Sequence, residues 1–131
     1  MRCMTNHARR RAHRRELARA RPLDRSARLK SRDIVRCDSF SHFACGRDFT
    51  FWIKRVGYLP APCWRAGENI AWGTGSRASV RSIFRAWIAS PDHRRNMLSR
   101  DYAQFGIGLE IGELGGSPRV HVWTQHFGLR C

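Results

Sequence analysis

Two short runs concentrate the side chains able to do chemistry in this 131-residue chain: Gly67-Glu68-Asn69-Ile70-Ala71, and further on Ser90-Pro91-Asp92-His93-Arg94-Arg95-Asn96-Met97-Leu98. They set a carboxylate, an imidazole and a Ser-Pro turn inside an otherwise apolar half, where an ionisable group is either satisfied by partners or put to use. No Cys pair has CxxC zinc spacing, and Ser41 and Ser90 lie in no nucleophile elbow or triad pattern. Asn69 suits a role pinning loop backbone. Gln125 and Thr124, near the end of an alternating segment, either support the same site or make ordinary cross-strand contacts. His121 and His126 fall on opposite faces of that segment, so they do not share a site.

The elements that must hold these groups follow from periodicity. From Thr5 or Asn6, an Ala- and Arg-rich run to about Ala20 favours helix and stops before Pro22. A second helix is expected after Asp24 or Ser26, with Leu29, Ile34 and Val35 inward and Arg28, Arg32 and Arg36 in water; Phe40 and Phe43 flank His42 at its end. Phe49, Phe51, Trp52 and Ile53 suggest a short helix closed by Gly57, before a loop marked by Pro60 and Pro62. Val80, Ile83, Phe84, Trp87 and Ile88 recur at i, i+3, i+4, i+7 and i+8, one apolar stripe that Ser79 can cap. Ser90 before Pro91 then starts a further short helix. His93 lies in its first turn, where burial beside the positive end of the helix dipole favours the neutral, metal-binding imidazole. Beyond Tyr102 the period becomes two. Phe105, Ile107, Leu109 and Ile111, then Val120, Val122 and Thr124, predict an antiparallel hairpin across a long turn-rich loop from Gly112 to Pro118. Helices first and strands last imply an α+β sandwich, with Trp72, Trp87 and Trp123 as core anchors.

Length and composition limit the rest. The chain suits one domain, and 42% hydrophobic residues with five Trp and seven Phe supply a core. The formal charge is +15, and residues 1–36 carry thirteen Lys or Arg against three acids. Such a field attracts nucleic acid, anionic membranes or acidic polymers and fades with salt; arginine-rich codon usage explains the same excess without any partner. No apolar run approaches the roughly 20 residues of a membrane helix. The basic start lacks the apolar segment of an export signal. Cys3, Cys37, Cys45, Cys63 and Cys131 argue instead for disulfides, Cys37 with Cys45 being the short-loop candidate to staple the segment around His42.

Four blocks together resemble the CAP superfamily (SCP-like; cysteine-rich secretory proteins, antigen 5 and pathogenesis-related proteins) in its short bacterial form. They are Ser41-His42-Phe43; Gly67 to Ala71; Trp87 through Ser90 to Leu98 and on to Phe105-Gly106-Ile107-Gly108; and Trp123-Thr124-Gln125-His126-Phe127-Gly128. The resemblance runs from about Leu23 to Cys131. It implies an α-β-α sandwich with a C-terminal antiparallel hairpin, divided as a basic N-terminal helix or arm over residues 1–20 and a CAP/SCP-like domain over 21–131. It also implies a cleft whose floor holds His42, Glu68 and His93, with Ser90, Asn69 and Gln125 in support. Ser90 stands where animal and plant relatives carry a second glutamate, which reduces a tetrad to three.

Two neutral imidazoles and one carboxylate suit Zn²⁺ or another divalent cation with a position left for water; without metal, Glu68 shared between rings is a satisfied polar cluster. The leading expectation is a secreted binding module at the cell envelope, more a binder than an enzyme, holding a divalent ion, a small ligand or an acidic envelope polymer. Its extracellular or cell-envelope location is implied by the resemblance. The alternatives are a metal-assisted hydrolase of peptide or wall-derived substrates, and nonspecific, salt-labile nucleic-acid binding by the basic N-terminus.

Overall fold

Along a C-terminal strand, Ser117–Arg130, side chains alternate between two buried faces, and the architecture follows from covering both. The computed structural model describes residues 1–59 and 63–130. In chain order the elements are α1 (Arg2–Arg11), β1 (Ala18–Arg19), α2 (Arg21–Arg36), α3 (Thr50–Arg55), β2 (Trp64–Gly73), α4 (Val80–Ala89), α5 (Pro91–Leu98), β3 (Gln104–Leu114) and β4 (Ser117–Arg130). The strands form one mixed sheet in the order β1-β3-β4-β2, parallel only between β1 and β3. On one face, Val120 and Val122 pack with Ile34 of α2 and Ile70 of β2. On the other, Trp123 and Phe127 pack with Trp87 of α4, Met97 of α5 and Leu17. The sheet is thus sandwiched between helical layers, the α+β arrangement expected.

Close approach of α2 depends on missing side chains. A Cβ on Gly106 would stand 2.1 Å from the backbone of Leu23 and Asp24, and one on Gly108 2.2 Å from that of Ala27 and Arg28. Only glycine lets α2 lie this flat on β3.

Several expectations hold. α3 is closed by Gly57 at φ +74°, Ser79 accepts from the Ser82 amide at the start of α4, and Pro91 opens α5. Cys37 and Cys45 are disulfide-bonded, with Cα atoms 5.5 Å apart. The loop marked by Pro60 and Pro62 lies outside the described residues.

Others are corrected. The first helix ends at Arg11, because the Asn6 amide takes both the N–H and the C=O of Leu17 and folds the chain back, making Ala18–Arg19 a strand. Arg9, Thr5 and Asn6 are buried as a result. α2 starts earlier, at Arg21, with Pro22 in its first turn. Its inward stripe includes Lys30 and Asp33, whereas Leu29 is only half-buried. Asn69, expected to pin loop backbone, lies with the rest of Gly67–Ala71 within β2, a strand that the periodicity missed. The expected long hairpin loop shrinks to Gly115-Gly116, both at positive φ, between paired Leu114 and Ser117. Trp87 and Trp123 are core anchors, but Trp72 is 47% exposed because it lies on the sheet's edge strand.

Candidate functional site

The site gathers at the open edge of β2, where the loop after α2 and the helix α5 approach the strand from opposite faces. Strand alternation sends Glu68 to the α2 side and Asn69 to the α5 side. Glu68 is buried and holds two imidazoles: His42 Nδ1 at 2.6 Å from Oε1, and His126 Nε2 at 2.8 Å from Oε2. His126 is its register partner on β4. Behind it, His126 Nδ1 lies 2.7 Å from Ser26 Oγ, which is itself 3.0 Å from the Leu23 carbonyl. When His126 is neutral with its proton on Nε2, the Ser26 hydroxyl donates to Nδ1; when both nitrogens are protonated, that hydroxyl turns to Leu23.

Burial pushes the Glu68 carboxyl up, but hydrogen bonds from His126 and His42, with the charges of His126 and Lys30, outweigh it and hold the group below the usual glutamate range. Glu68 is therefore an anion at neutral pH. It receives the Nδ1 proton of His42, whose side chain is 50% exposed, so whenever that ring is neutral its lone pair lies on Nε2.

The loop carrying His42 is fixed from α2. Lys30 Nζ donates to the His42 carbonyl at 2.6 Å, and its pKa is lowered by burial, an effect opposed by Glu68, Asp33 and Asp48. Buried Asp33 accepts from Arg47 at 2.9 Å and from the Trp52 indole at 2.6 Å, while the Cys37–Cys45 bridge closes the segment covalently.

Opposite, Asn69 Nδ2 donates to the His93 carbonyl at 3.1 Å, and Asn96 Nδ2 donates to the Glu68 carbonyl and to Asn69 Oδ1. Asn69 thus pins backbone, though from a strand and across to α5. Burial lowers the His93 pKa, repulsion from His42 lowers it further, and Asp92 partly offsets both. Its imidazole is neutral at neutral pH.

Of the sequence-derived residues, His42 and Glu68 touch, and His93 lies within electrostatic reach of His42. Ser90 is the N-cap residue of α5 without a side-chain capping bond. Gln125 turns to the other face and donates to Thr5 of α1. His126, Ser26, Lys30 and Asn96 were missed. His126 is in phase with Val120, Val122 and Thr124, and Lys30 lies on the Leu23-Ala27-Ile34 stripe, so both were readable as inward-facing.

The donor set bears on a divalent ion. Both Glu68 oxygens are engaged by imidazoles, and among the described residues no three His, Cys, Asp or Glu side chains are placed to ligate one ion. The expected His42, Glu68 and His93 ligand set is not assembled. Glu68 stands behind His42 as an orienting partner rather than as a free ligand.

The comparisons agree with this architecture. The sequence profile of the cysteine-rich secretory protein family (CAP) matches residues 4–127. The uncharacterized protein YkwD of Bacillus subtilis (strain 168) is 32% identical over 108 residues, covering 80% of this chain and 36% of its own. This chain therefore spans about a third of the curated relative it matches. An outer surface protein of Borrelia burgdorferi superposes with a TM-score of 0.80 at 16% identity over 98% of this chain and 89% of its own. An extracellular SCP-domain protein of Bacillus anthracis str. Ames gives 0.78 at 24% identity over 97% and 38%. A cysteine-rich secretory protein of Staphylococcus aureus subsp. aureus Mu50 gives 0.67 at 15% identity over 94% and 35%. By its sequence match and its sheet of four strands between helices, this chain belongs to the cysteine-rich secretory protein (CAP) family.

Proposed function

We propose that this chain is a CAP-domain binding module of the extracellular type, working at the cell envelope and using the β2 edge around His42 and His93 to hold a small polar ligand or a divalent ion. The observation that carries this reading is the Glu68 bridge: it takes the Nδ1 proton of half-exposed His42, so that the lone pair of the neutral ring belongs to Nε2. A half-exposed imidazole anchored by Glu68, within electrostatic reach of a neutral His93, offers its lone pair together with that of His93 when His42 is neutral. Were Zn²⁺ the ligand, His42 and His93 would hold it, and it would supply Lewis acidity. Phe40 and Phe43, which flank His42 in the chain, are exposed, the latter at 65%. The names of the Borrelia, B. anthracis and S. aureus relatives support the location.

Calorimetry with Zn²⁺ on the wild type, His93→Ala and His42→Ala tests the ion arm: uptake lost in both variants supports it, and equal uptake by all three removes it. For the metal-assisted hydrolase alternative the nucleophile is a water activated at this edge, because the Ser26-His126-Glu68 chain is buried away from any substrate. A substrate screen giving turnover that Glu68→Gln abolishes would favour it over binding.

A further inference from the structure

At the opposite edge of the sheet, β3 runs on beyond its partner. β1 pairs only with Gln104 and Phe105, so from Ile107 onward β3 has no strand neighbour on that side among the described residues. Its odd-numbered residues aim their backbone there: the Phe105 carbonyl accepts from the Ala20 amide, and the Ile107 amide donates to Asp24 Oδ1 at 2.9 Å. By the same alternation, Leu109 and Ile111 present N–H and C=O outward. This edge floors a groove of about 670 Å³ lined by Arg2, Arg19, Arg21, Arg25, Arg28 and Asp24. Asp24 is already used by Ile107 and by Arg19. Among the described residues, no ion pair engages Arg2, Arg21, Arg25 or Arg28. Crowded cations beside open backbone groups call for an occupant that supplies both anions and strand hydrogen bonds.

We propose that this groove is a docking site for an extended acidic peptide, which adds to β3 in line with β1 and places alternate carboxylates against Arg21, Arg25 and Arg28. The spacing suits it. These three arginines stand at i, i+4 and i+7 on one side of α2 and rise about 10 Å, whereas alternate side chains of a strand are about 6.7 Å apart. Two or three carboxylates on one face therefore meet three guanidiniums. The site is separate from the β2 edge and does not rest on the function proposed there. A charge guard that merely discourages edge pairing is the competing explanation.

The test is fluorescence anisotropy of the whole chain with a labelled short peptide of alternating Glu and Val, accompanied by amide chemical shifts. Binding should shift the Leu109 and Ile111 amides, weaken about tenfold or more in R25E/R28E, and fail for a peptide N-methylated on the residues facing β3. Equal binding by the N-methylated peptide, or by one of the same composition with contiguous Glu, would overturn the strand-addition claim. So would undiminished binding to the double variant, no binding with both amides unmoved, or displacement by polyphosphate of a peptide that leaves the edge amides unshifted. The N-methylated arm uses only wild-type protein, so it stands even where the charge-reversed variant folds poorly.

Discussion

The two edges of this sheet handle charge in opposite ways. At β2, a buried carboxylate is surrounded by groups that answer it: His42 and His126 each take one Glu68 oxygen, and the charge of Lys30 adds to them. At β3, a single carboxylate, Asp24, secures one amide and one arginine, and the remaining guanidiniums face water. Buried, partnered charge is part of the folded structure and is costly to break, while exposed, unanswered charge contributes little to stability and remains available to something outside.

That contrast can be broken most severely at Glu68. Glu68→Ala leaves His126 without its partner in the interior, and urea denaturation should register a loss of about 3–5 kcal/mol; Glu68→Gln, which keeps the shape, should lose about 1–3 kcal/mol. At the other edge, Gly106→Ala forces a Cβ into the α2 backbone. It should cost about 3 kcal/mol and lift α2 from β3, detectable as faster amide exchange in both. Cys37→Ser with Cys45→Ser should cost about 2.5 kcal/mol from the short loop, and weaken any His42-dependent binding more than that stability loss predicts.

Acid sharpens the comparison. Because folding lowers the Glu68 pKa, its contribution is complete above the unfolded-state value and is lost as pH falls through the folded one. The Glu68→Gln difference should therefore shrink in strong acid. His93 also titrates lower in the folded state, so protons bind the unfolded chain first as pH drops below the ordinary histidine range, and stability declines there. His93→Gln should flatten that decline in a series of urea midpoints. The smallest effect belongs to the open edge: Arg28→Ala should change stability by no more than about 0.5 kcal/mol.

The same contrast explains what the sequence disclosed. α4 and α5 were legible because their apolar stripe and Ser-Pro start are local signals, and the hairpin was legible because Val120, Val122 and Thr124 keep strict alternation. β2 was not, since Gly67-Glu68-Asn69 puts two polar residues into a strand whose partners lie some sixty residues away on β4. Glu68 itself was found through family likeness, but its second partner was not: a histidine in a run of buried residues looks like any core position until the register between β2 and β4 is known. Ser26 and Lys30 were hidden for the same reason, being polar residues whose acceptors are brought in by tertiary contacts.

Arg9 has a consequence for how this protein can be cut. Its guanidinium, buried beneath α1, grips the carbonyls of Met97 and Ser99 at 2.8 and 2.9 Å and so clamps the tail of the helix that bears His93. A shortened chain beginning at Arg21 would uncap those two oxygens and bare Met97 to solvent. The arginine-rich start would then prove to be a brace for the distant histidine, and trimming it for convenience would slacken the helix that bears it.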